Sequence, residues 1–346
     1  MLDKLTIIIP TRNRHKFINN QIDYLKNWGT QIFLLDGSDE INSYLENLAK
    51  KIPNLNYIHN KNGIFARFER MKGQIRTKYS MFMSDDEFFF KKSLEMCIKF
   101  LNNNPDYVSC SGVAVGFKKS SKSEVIYREV YPRLIGYSIS AENPKDRVID
   151  HMSKYVPCSV YGVLQSRIFN KFLNELDYTN TSCSATYECW MQNTTAYMGK
   201  IMVLPVLYWL RNLENSPVQD QNWNRKLTFY KWYNSKSYEK EKSEFVNNFC
   251  KLNYEKSTDF FKLALSNFSK DLNERKGEGT IKRALFLFFK RTLNFILRKL
   301  KLFKVINRIN QKHFFNYNDL TNYLDKNKIK YDEKVIKQIE KQYSQM

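Results

Sequence analysis

The sequence predicts an α/β fold in which the first 117 residues form a parallel sheet with helices between its strands. Short apolar segments with strand character alternate with longer amphipathic stretches, and polar residues follow several of the apolar segments. The predicted strands cover residues 5–10, 31–35, 55–58, 79–83 and 107–117, and the predicted helices cover residues 14–27, 40–51, 64–76 and 92–102.

Three of the predicted strands end in polar residues. The first runs into Pro10-Thr11-Arg12-Asn13-Arg14, the second into Asp36-Gly37-Ser38, and the fourth into Ser84-Asp85-Asp86-Glu87. Carboxyl ends of parallel strands meet at one edge of a sheet, so these segments are expected to share a site. Carboxylate oxygens suit a divalent cation that carries a nucleotide diphosphate. A solvated acidic turn is the competing interpretation of residues 84–87.

After residue 117 the pattern is less regular. A polar hairpin tip is expected at 118–123, a strand at 125–131, and helical structure over 144–175 with a break at 156–159. A helix ending at Gly199 and a strand at 201–205 follow. Composition turns polar between residues 212 and 226. We therefore expect an α/β domain over residues 1–215 and a helical C-terminal region over residues 216–346.

The charge balance indicates an anionic partner. The chain has 56 Lys and Arg against 35 Asp and Glu, a formal net charge of +21. A nucleotide sugar, an anionic membrane surface or a nucleic acid would satisfy such a charge. The six cysteines form no Cys-x-x-Cys pair and are expected to be free thiols in a reducing compartment. The first residues do not have the pattern of a signal peptide, so we expect a cytoplasmic protein.

The strand-end motifs together resemble a known family. Thr-Ile-Ile-Ile-Pro-Thr-Arg-Asn-Arg at 6–14, Asp-Gly-Ser at 36–38 and Ser-Asp-Asp-Glu at 84–87 look like the nucleotide-binding half of family 2 glycosyltransferases. The resemblance covers roughly residues 5–211 and implies the GT-A fold, a Rossmann-like nucleotide-binding sheet with flanking helices. In the metal motif, usually Asp-x-Asp, Ser84 replaces the first Asp and Asp86 retains the last.

The resemblance implies Mn²⁺ or Mg²⁺ as cofactor and Asp86 as its ligand, with Asp85 and Glu87 as further carboxylates that could contact the metal. Most of the implied residues for the nucleotide-sugar donor follow the strands or precede the metal motif: Pro10, Thr11, Arg12, Asp36, Arg67 and Asp85. Arg14, in contrast, is expected to face solvent.

Three of the donor-site residues have alternative explanations. Arg12 could equally be a surface charge. A carboxylate at Asp36 can accept a hydrogen bond from a base or a sugar hydroxyl, but it can also cap the turn before Gly37. Arg67 lies in a segment similar to the family's Gly-x-x-x-Ala-Arg and could contact the diphosphate. No acid lies three or four residues from it, so a helical ion pair is excluded, although a solvated arginine is not.

The segment Tyr187-Glu188 stands where the family usually has Glu-Asp, ahead of a helix, a glycine and a strand. The resemblance thus gives Glu188 the role of general base, which accepts the proton of an acceptor hydroxyl. An acid stabilised by a helix N-terminus is the alternative for this position. Asp177 is an alternative base. The acceptor would attack one face of the sugar while the diphosphate leaves from the other, and this displacement inverts the anomeric configuration.

Residues 281–312 contain ten Lys and Arg and no acid. On a helix, apolar residues would share one face and basic residues the other, a pattern typical of interfacial helices on anionic lipid. A helix that packs its apolar face on the rest of the protein would have the same pattern.

The sequence therefore predicts a metal-dependent inverting glycosyltransferase. It would move a sugar from a nucleotide-diphosphate donor, UDP-linked by default, to a bacterial cell-surface glycan acceptor such as lipooligosaccharide, capsule or a lipid-linked glycan. The enzyme would be cytoplasmic and peripheral on the inner face of the cytoplasmic membrane. Two alternatives are a nucleic-acid-binding protein that uses the basic surface and a catalytically inactive GT-A scaffold. The former has no recognisable nucleic-acid-binding motif, and no nucleic-acid partner is expected.

Overall fold

The computed structural model describes residues 1–120, 123–179, 181–214, 227–274 and 314–344. Its centre is one ten-stranded sheet. Eight strands follow the order β3-β2-β1-β4-β9-β6-β10-β5, while β7 pairs with β6 and β8 with β10. The strands are β1 (Leu5–Thr11), β2 (Gln31–Asp36), β3 (Leu55–His59), β4 (Tyr79–Phe82), β5 (Phe88–Phe89), β6 (Tyr107–Lys119), β7 (Val125–Glu129), β8 (Ser138–Ile139), β9 (Val163–Gln165) and β10 (Lys200–Asn212).

The first four strands of that order are parallel, as the sequence predicts. Thr6 pairs with Gln31, Ile32 with Leu55, and Leu5 with Tyr79, so β3, β2, β1 and β4 run in one direction. Most of their apolar residues are buried, because helices and loops cover the sheet. The α/β fold is confirmed, and the carboxyl ends of β1, β2 and β4 lie at one edge of the sheet.

The second half of the sheet departs from the prediction at one strand. Residues 144–175 were expected to be helical, but the helices Pro144–Ser153 and Ser166–Asn174 are separated by β9. Strand β9 lies antiparallel between β4 and β6. Three residues are too few to show strand periodicity between two helical segments. Beyond β9, β6 pairs in parallel with β10, so β10 also ends at the edge where β4 ends.

The helices up to residue 252 connect and cover these strands. They are α1 (His15–Leu25), α2 (Ser43–Ala49), α3 (Ile64–Met71), α4 (Lys91–Asn103), α5 (Pro144–Ser153), α6 (Ser166–Asn174), α7 (Ala185–Met198), α8 (Phe229–Asn234) and α9 (Glu239–Leu252). Helix α7 has almost no exposed face: nine of its residues are buried, which explains why it shows little amphipathic periodicity. Its Trp190 packs against Phe245 of α9.

Where it is described, the C-terminal region is helical and packs on the α/β core. Helix α9 and the helical residues 259–274 belong to the same hydrophobic cluster as α7, and the ring centroids of Trp190 and Phe245 are 5.1 Å apart. The helices Tyr317–Lys326 and Glu333–Ser344 cover the other face of β6 and β10. The expected division at residue 215 stays a prediction, because residues 215–226 lie outside those described.

Alternate residues of β6 and β10 belong to the two clusters, as the twofold period of a strand requires. Ala114 and Tyr208 face the main core, whereas Val115 and Leu207 face the C-terminal helices. The basic segment 281–312 lies outside the described residues. Within the described ranges, none of the helices combines the length and apolarity needed to cross a bilayer.

Leu324→Ala tests whether the C-terminal helices stabilise the sheet. Leu324 is fully buried in the cluster with β6 and β10. Its truncation leaves a cavity and should lower the free energy of unfolding by about 3 kcal/mol. Denaturant titration measures the change. Leu263→Ala is the matched control, because Leu263 is 49% exposed and should change stability by less than about 0.5 kcal/mol. Equal stability of the two variants would show that the C-terminal helices are not held to the sheet.

Candidate active site

A cavity of about 440 Å³ opens at the carboxyl edge of the sheet. The ends of β1, β4 and β10, the start of α3 and the start of α7 surround it. Its walls contain seven of the eight site residues that the sequence predicts: Pro10, Thr11, Arg12, Arg67, Asp85, Asp86 and Glu188. Segments that are far apart in the chain therefore share one cavity, as parallel strand topology predicts.

Asp85 and Asp86 lie beside the guanidinium group of Arg14. Arg14 Nη1 is 2.9 Å from Asp85 Oδ1, and Nη2 pairs with Asp86 Oδ2. Thr11 Oγ1 donates to Asp85 Oδ2 over 2.7 Å. The expectation that Arg14 faces solvent is wrong, since its side chain is only 12% exposed. Its backbone follows Asn13, whose positive φ of 53° turns the chain at the end of β1.

Burial makes the carboxyl groups of Asp85 and Glu87 harder to ionise. It raises the pKa of Asp85 to about 6, with Arg14 opposing the shift and Asp86 adding to it. Glu87 is buried as well, and burial together with Asp86 raises its pKa to about 8. The guanidinium group of Arg211, with Nε 3.8 Å from Glu87 Oε1, opposes that shift. Arg14 is thus the main counter-charge of the acidic motif.

Arg67 is buried and held by backbone carbonyl groups. Its Nη1 donates to the oxygen of Asn60 over 3.0 Å and to that of Asn62 over 2.8 Å. A β-carbon at Gly37 would lie 2.0 Å from the same nitrogen, so a larger residue after β2 would displace the guanidinium group of Arg67. Neither a helical ion pair nor a solvated surface position describes Arg67, because the guanidinium group is fixed in the cavity wall.

Asp36 is the predicted site residue that does not line the cavity. It is fully buried, and both of its carboxylate oxygens accept internal hydrogen bonds. The amide of Ser38 donates to Oδ1 over 2.8 Å, and the hydroxyl of Tyr57 donates to Oδ2 over 2.6 Å. The geometry is that of a turn-capping carboxylate, and its binding role stays a prediction.

Arg12 also borders the cavity. One of its guanidinium nitrogens lies 3.7 Å from Asp39 Oδ1, and its side chain is 13% exposed. Pro10 precedes it at the end of β1, where the ring sets the direction of the chain.

Glu188 lies in the first turn of α7, opposite the strand ends. Its side chain is exposed and lines the cavity. Desolvation by the surrounding protein raises its pKa, and a hydrogen bond that Tyr155 donates to Oε1 opposes the rise. The alternative base Asp177 lies in the 3₁₀ helix Leu176–Thr179 and is not among the residues that line the cavity.

Aromatic side chains form the wall between Glu188 and the acidic motif. The rings of Phe65 and Tyr187 stack with centroids 4.1 Å apart, and both line the cavity. Tyr161 lies on the opposite side, against Trp209 at 4.8 Å. Arg211 Cζ is 5.0 Å from the ring of Tyr131. Aromatic side chains beside a few charged groups are the usual composition of a small-molecule binding cavity.

The acidic motif fits a cation that is bound mainly by substrate. Among the residues that the structure describes, no group of three or more His, Cys, Asp or Glu could hold a metal ion. Mg²⁺ needs less from the protein: it is held by one or two carboxylates and completes its shell with phosphate oxygens and water. Asp86 in the cavity wall meets this requirement once Asp86 Oδ2 is released from its ion pair with Arg14.

Comparison with protein families decides the classification. The family model for Glycosyl transferase family 2 matches residues 6–182, which is more than half of the chain. The chain belongs to this family. It is a glycosyltransferase, and the mixed sheet with its flanking helices is the GT-A fold that the strand-end motifs predict. The match contains β1 to β9 and the acidic motif, and it ends just before α7. A comparison with curated proteins finds no match.

Solved structures with a similar fold are distant in sequence. S. aureus TarS is 13% identical, with 73% of this chain and 44% of that chain aligned at a TM-score of 0.41. Its fragment 1–349 with UDP is 13% identical, with 79% and 91% aligned at 0.42. The mannosyltransferase PcManGT from Pyrobaculum calidifontis, in complex with GDP-Man and Mn²⁺, is 13% identical, with 88% and 84% aligned at 0.40. This chain spans less than half of the length of the first TarS chain named above.

The sequence did not identify several residues of the glycosyltransferase cavity. Arg14 is separated from the acids by 71 residues or more, and only the turn at Asn13 directs it toward them. Arg211 belongs to an aromatic run that gives no sign of an active-site role, although it ends a strand parallel to β6. Its place at the carboxyl end of β10 was the available signal.

Arg14→Gln tests whether this arginine neutralises the acidic motif. Removing one partner of a buried ion pair should lower the free energy of unfolding by about 3 kcal/mol at pH 8, where Asp85 is ionised. The loss should be smaller at pH 4, because Asp85, with a pKa of about 6, is then neutral. Denaturant titration at the two pH values measures the difference.

Lys26→Gln is the control for this measurement. Its ion pair with Asp23 is exposed, so its loss should cost less than about 1 kcal/mol at either pH. An Arg14→Gln effect as small as the control, or one that grows at low pH, would contradict the assignment.

Proposed function

We propose that the protein is a metal-dependent, inverting glycosyltransferase that uses a nucleotide-diphosphate sugar, UDP-linked by default. Its acceptor is a bacterial cell-surface glycan such as lipooligosaccharide, capsule or a lipid-linked glycan. The observation that carries the proposal is that Asp86 and Glu188 line one cavity from different sides. Tyr161 lies within electrostatic reach of both carboxylates, which supports a single reaction centre between them.

The donor half of the proposal concerns the strand ends. Thr11, Arg12, Arg67 and Asp85 would hold the nucleotide and its diphosphate, and Asp36 would fix the turn after β2, whose Gly37 lies against Arg67. Arg67 suits the diphosphate because its guanidinium group is fixed in place before the donor binds. Asp86 would hold Mn²⁺ or Mg²⁺, which when bound stabilises the negative charge that develops on the departing diphosphate.

The acceptor half of the proposal concerns α7. The acceptor hydroxyl oxygen forms a bond to the anomeric carbon, the bond from that carbon to the diphosphate oxygen breaks, and Glu188 receives the hydroxyl proton. One displacement of this kind inverts the anomeric configuration. Its transition state has oxocarbenium character, as in glycoside hydrolysis. Burial supports the base role, because a raised pKa makes the carboxylate a better proton acceptor near neutral pH.

Glu188→Gln separates basicity from shape. The amide keeps the size of the side chain but cannot accept a proton, so turnover should fall by a factor on the order of 10² or more. Donor affinity should stay near the wild-type value, since the variant leaves the strand ends unchanged. Single-turnover assays and calorimetry measure the two quantities. Asp177→Asn is the control and should retain activity. Wild-type turnover in Glu188→Gln would transfer the base role to another residue.

Asp86→Ala tests the cation site. Loss of the Asp86 carboxylate should abolish the part of UDP affinity that depends on Mn²⁺, because an alanine supplies neither charge nor ligand to the cation. Titration calorimetry with UDP, with and without Mn²⁺, measures this difference. Asp39→Ala, an exposed carboxylate paired with Arg12, is the control and should keep the metal dependence. Unchanged affinity in Asp86→Ala would refute the assignment of Asp86.

We also propose that residues 281–312 bring the enzyme to the inner face of the cytoplasmic membrane, where a lipid-linked acceptor is accessible. The support is the sequence of this segment, with ten basic residues and no acid. Each Lys or Arg near an anionic surface contributes about 1 kcal/mol. The protein should therefore float with phosphatidylglycerol liposomes at low salt and dissociate at high salt. Absence of flotation at low salt would show that the segment has another role.

A further inference from the structure

Glu188 is the end of a chain of hydrogen-bonded side chains that extends away from the cavity. Tyr155 contacts Glu188 Oε1, and Gln192 Nε2 lies 3.4 Å from the Tyr155 hydroxyl. Gln192 Oε1 is 2.8 Å from His151 Nε2, while His151 Nδ1 contacts the hydroxyl of Tyr137. Polar groups in this environment need partners, and each of these bonds supplies one.

The chemistry of the members sets one direction for the chain. An ionised carboxylate only accepts, so the Tyr155 hydroxyl donates its proton to Glu188. The oxygen of Tyr155 then accepts a hydrogen bond from Gln192, which must present its amide nitrogen to it. This leaves the amide oxygen of Gln192 to accept from His151 Nε2–H, and His151 Nδ1 to accept from Tyr137. All four donors are oriented toward the carboxylate.

The environment of His151 agrees with this direction. The ring is fully buried, and burial lowers its pKa to about 4, so it is neutral near pH 7 and carries one N–H. Lys154 also disfavours the charged ring. A neutral ring is what the chain requires, because a doubly protonated imidazole could not accept the hydrogen bond from Tyr137.

Several structural elements contribute to the chain. Tyr137 precedes β8, His151 lies in α5, Tyr155 follows α5, and Gln192 lies on α7 one turn after Glu188. The chain thus crosses from α5 to α7 beneath the cavity. Hydrogen bonds that point the same way polarise one another, and the strongest bond of such a chain is the one to a charged acceptor.

We propose that Tyr155 is a positioning residue for Glu188, and that Gln192, His151 and Tyr137 hold its hydroxyl in the donating orientation. The proposal rests on the function of Glu188 as the base. A donor at Oε1 fixes the carboxylate and leaves Oε2 to receive the proton of the acceptor hydroxyl. It also favours the ionised carboxylate against the effect of burial.

The other titratable groups that face Glu188 are neutral near pH 7. Burial raises the pKa values of Tyr155, Tyr161 and Cys189, and the charge of Glu188 raises them further. None of these three groups therefore brings a charge to the carboxylate. The hydrogen bond from Tyr155 is the interaction that opposes the effect of burial on the pKa of Glu188.

Tyr155→Phe removes the hydroxyl that donates to Glu188 and accepts from Gln192. The activity at pH 7 should fall about tenfold, since a hydrogen bond to a charged group is lost. The acidic limb of the pH profile of kcat should move to higher pH by about one unit, because the ionised form of Glu188 loses its donor. The KM for the donor should stay constant. A merely structural role of Tyr155 would lower activity without moving the acidic limb.

Tyr197→Phe is the matched control. Tyr197 lies on α7 and donates a hydrogen bond of 2.7 Å to Glu255, outside the chain that leads to Glu188. Its loss should leave the pH profile unchanged. If Glu188→Gln keeps wild-type turnover, the proposed base is wrong. If Glu188→Gln is inactive while Tyr155→Phe keeps the wild-type profile, only the positioning role is wrong.

Nitrogen NMR of the wild-type protein tests the direction of the chain without any variant. Long-range proton–nitrogen correlations should show His151 neutral at pH 6, with the proton on Nε2. This measurement stays decisive if Tyr155→Phe does not fold. A proton on Nδ1, or a charged ring at pH 6, would reverse or break the chain and overturn the proposal.

Discussion

Two adjacent carboxylates at the end of β4, largely removed from water, impose the constraint on which the rest of the site depends. Burial raises the pKa of Asp85, and the neighbouring Asp86 raises it further. Arg14 neutralises them from the loop after β1, and Thr11 on the same strand supplies a hydrogen bond. The order of β1 beside β4 in the sheet is therefore also the order that places a cation beside the acids.

The same constraint explains why the cavity suits an anionic ligand that brings its own cation. The positive charge of Arg14 balances the carboxylates. Its guanidinium group pairs with Asp86 Oδ2, the oxygen that a metal ion would need. In the proposed function, a nucleotide diphosphate with Mn²⁺ would replace one cation by another and would add phosphate oxygens as ligands. The fixed guanidinium group of Arg67 adds a second positive charge in the cavity wall.

The opposite side of the cavity is held by packing. Helix α7 is buried along most of its length, with Trp190 between Phe245 and Phe249 at centroid distances of 5.1 and 5.2 Å. The C-terminal region thus positions Glu188, although it contributes no described residue to the cavity wall. A change in these aromatic contacts should alter the active site from a distance.

Much of this arrangement follows from the sequence. The strand ends at residues 10, 36 and 85 were recognisable because apolar segments stop abruptly at polar ones, and parallel topology brings such ends together. Short elements such as β9 were not recognisable, since three residues show no period. Arg14 and the partners of Glu188 depend on tertiary contacts between residues up to 72 positions apart, which local pattern does not encode. Asp36 shows the same limit, because its partner Tyr57 comes from β3.

The central claim is that the acidic motif and Glu188 serve one reaction centre for a metal-bound nucleotide diphosphate. A crystal structure of the protein with UDP and Mn²⁺, with anomalous diffraction to locate manganese, tests this most directly. The account predicts a manganese peak beside Asp86, with Arg14 displaced from Asp86 Oδ2 and the diphosphate in the cavity that Glu188 lines. Nucleotide bound outside this cavity, or inside it with the Arg14–Asp86 pair intact and no manganese, would contradict the account.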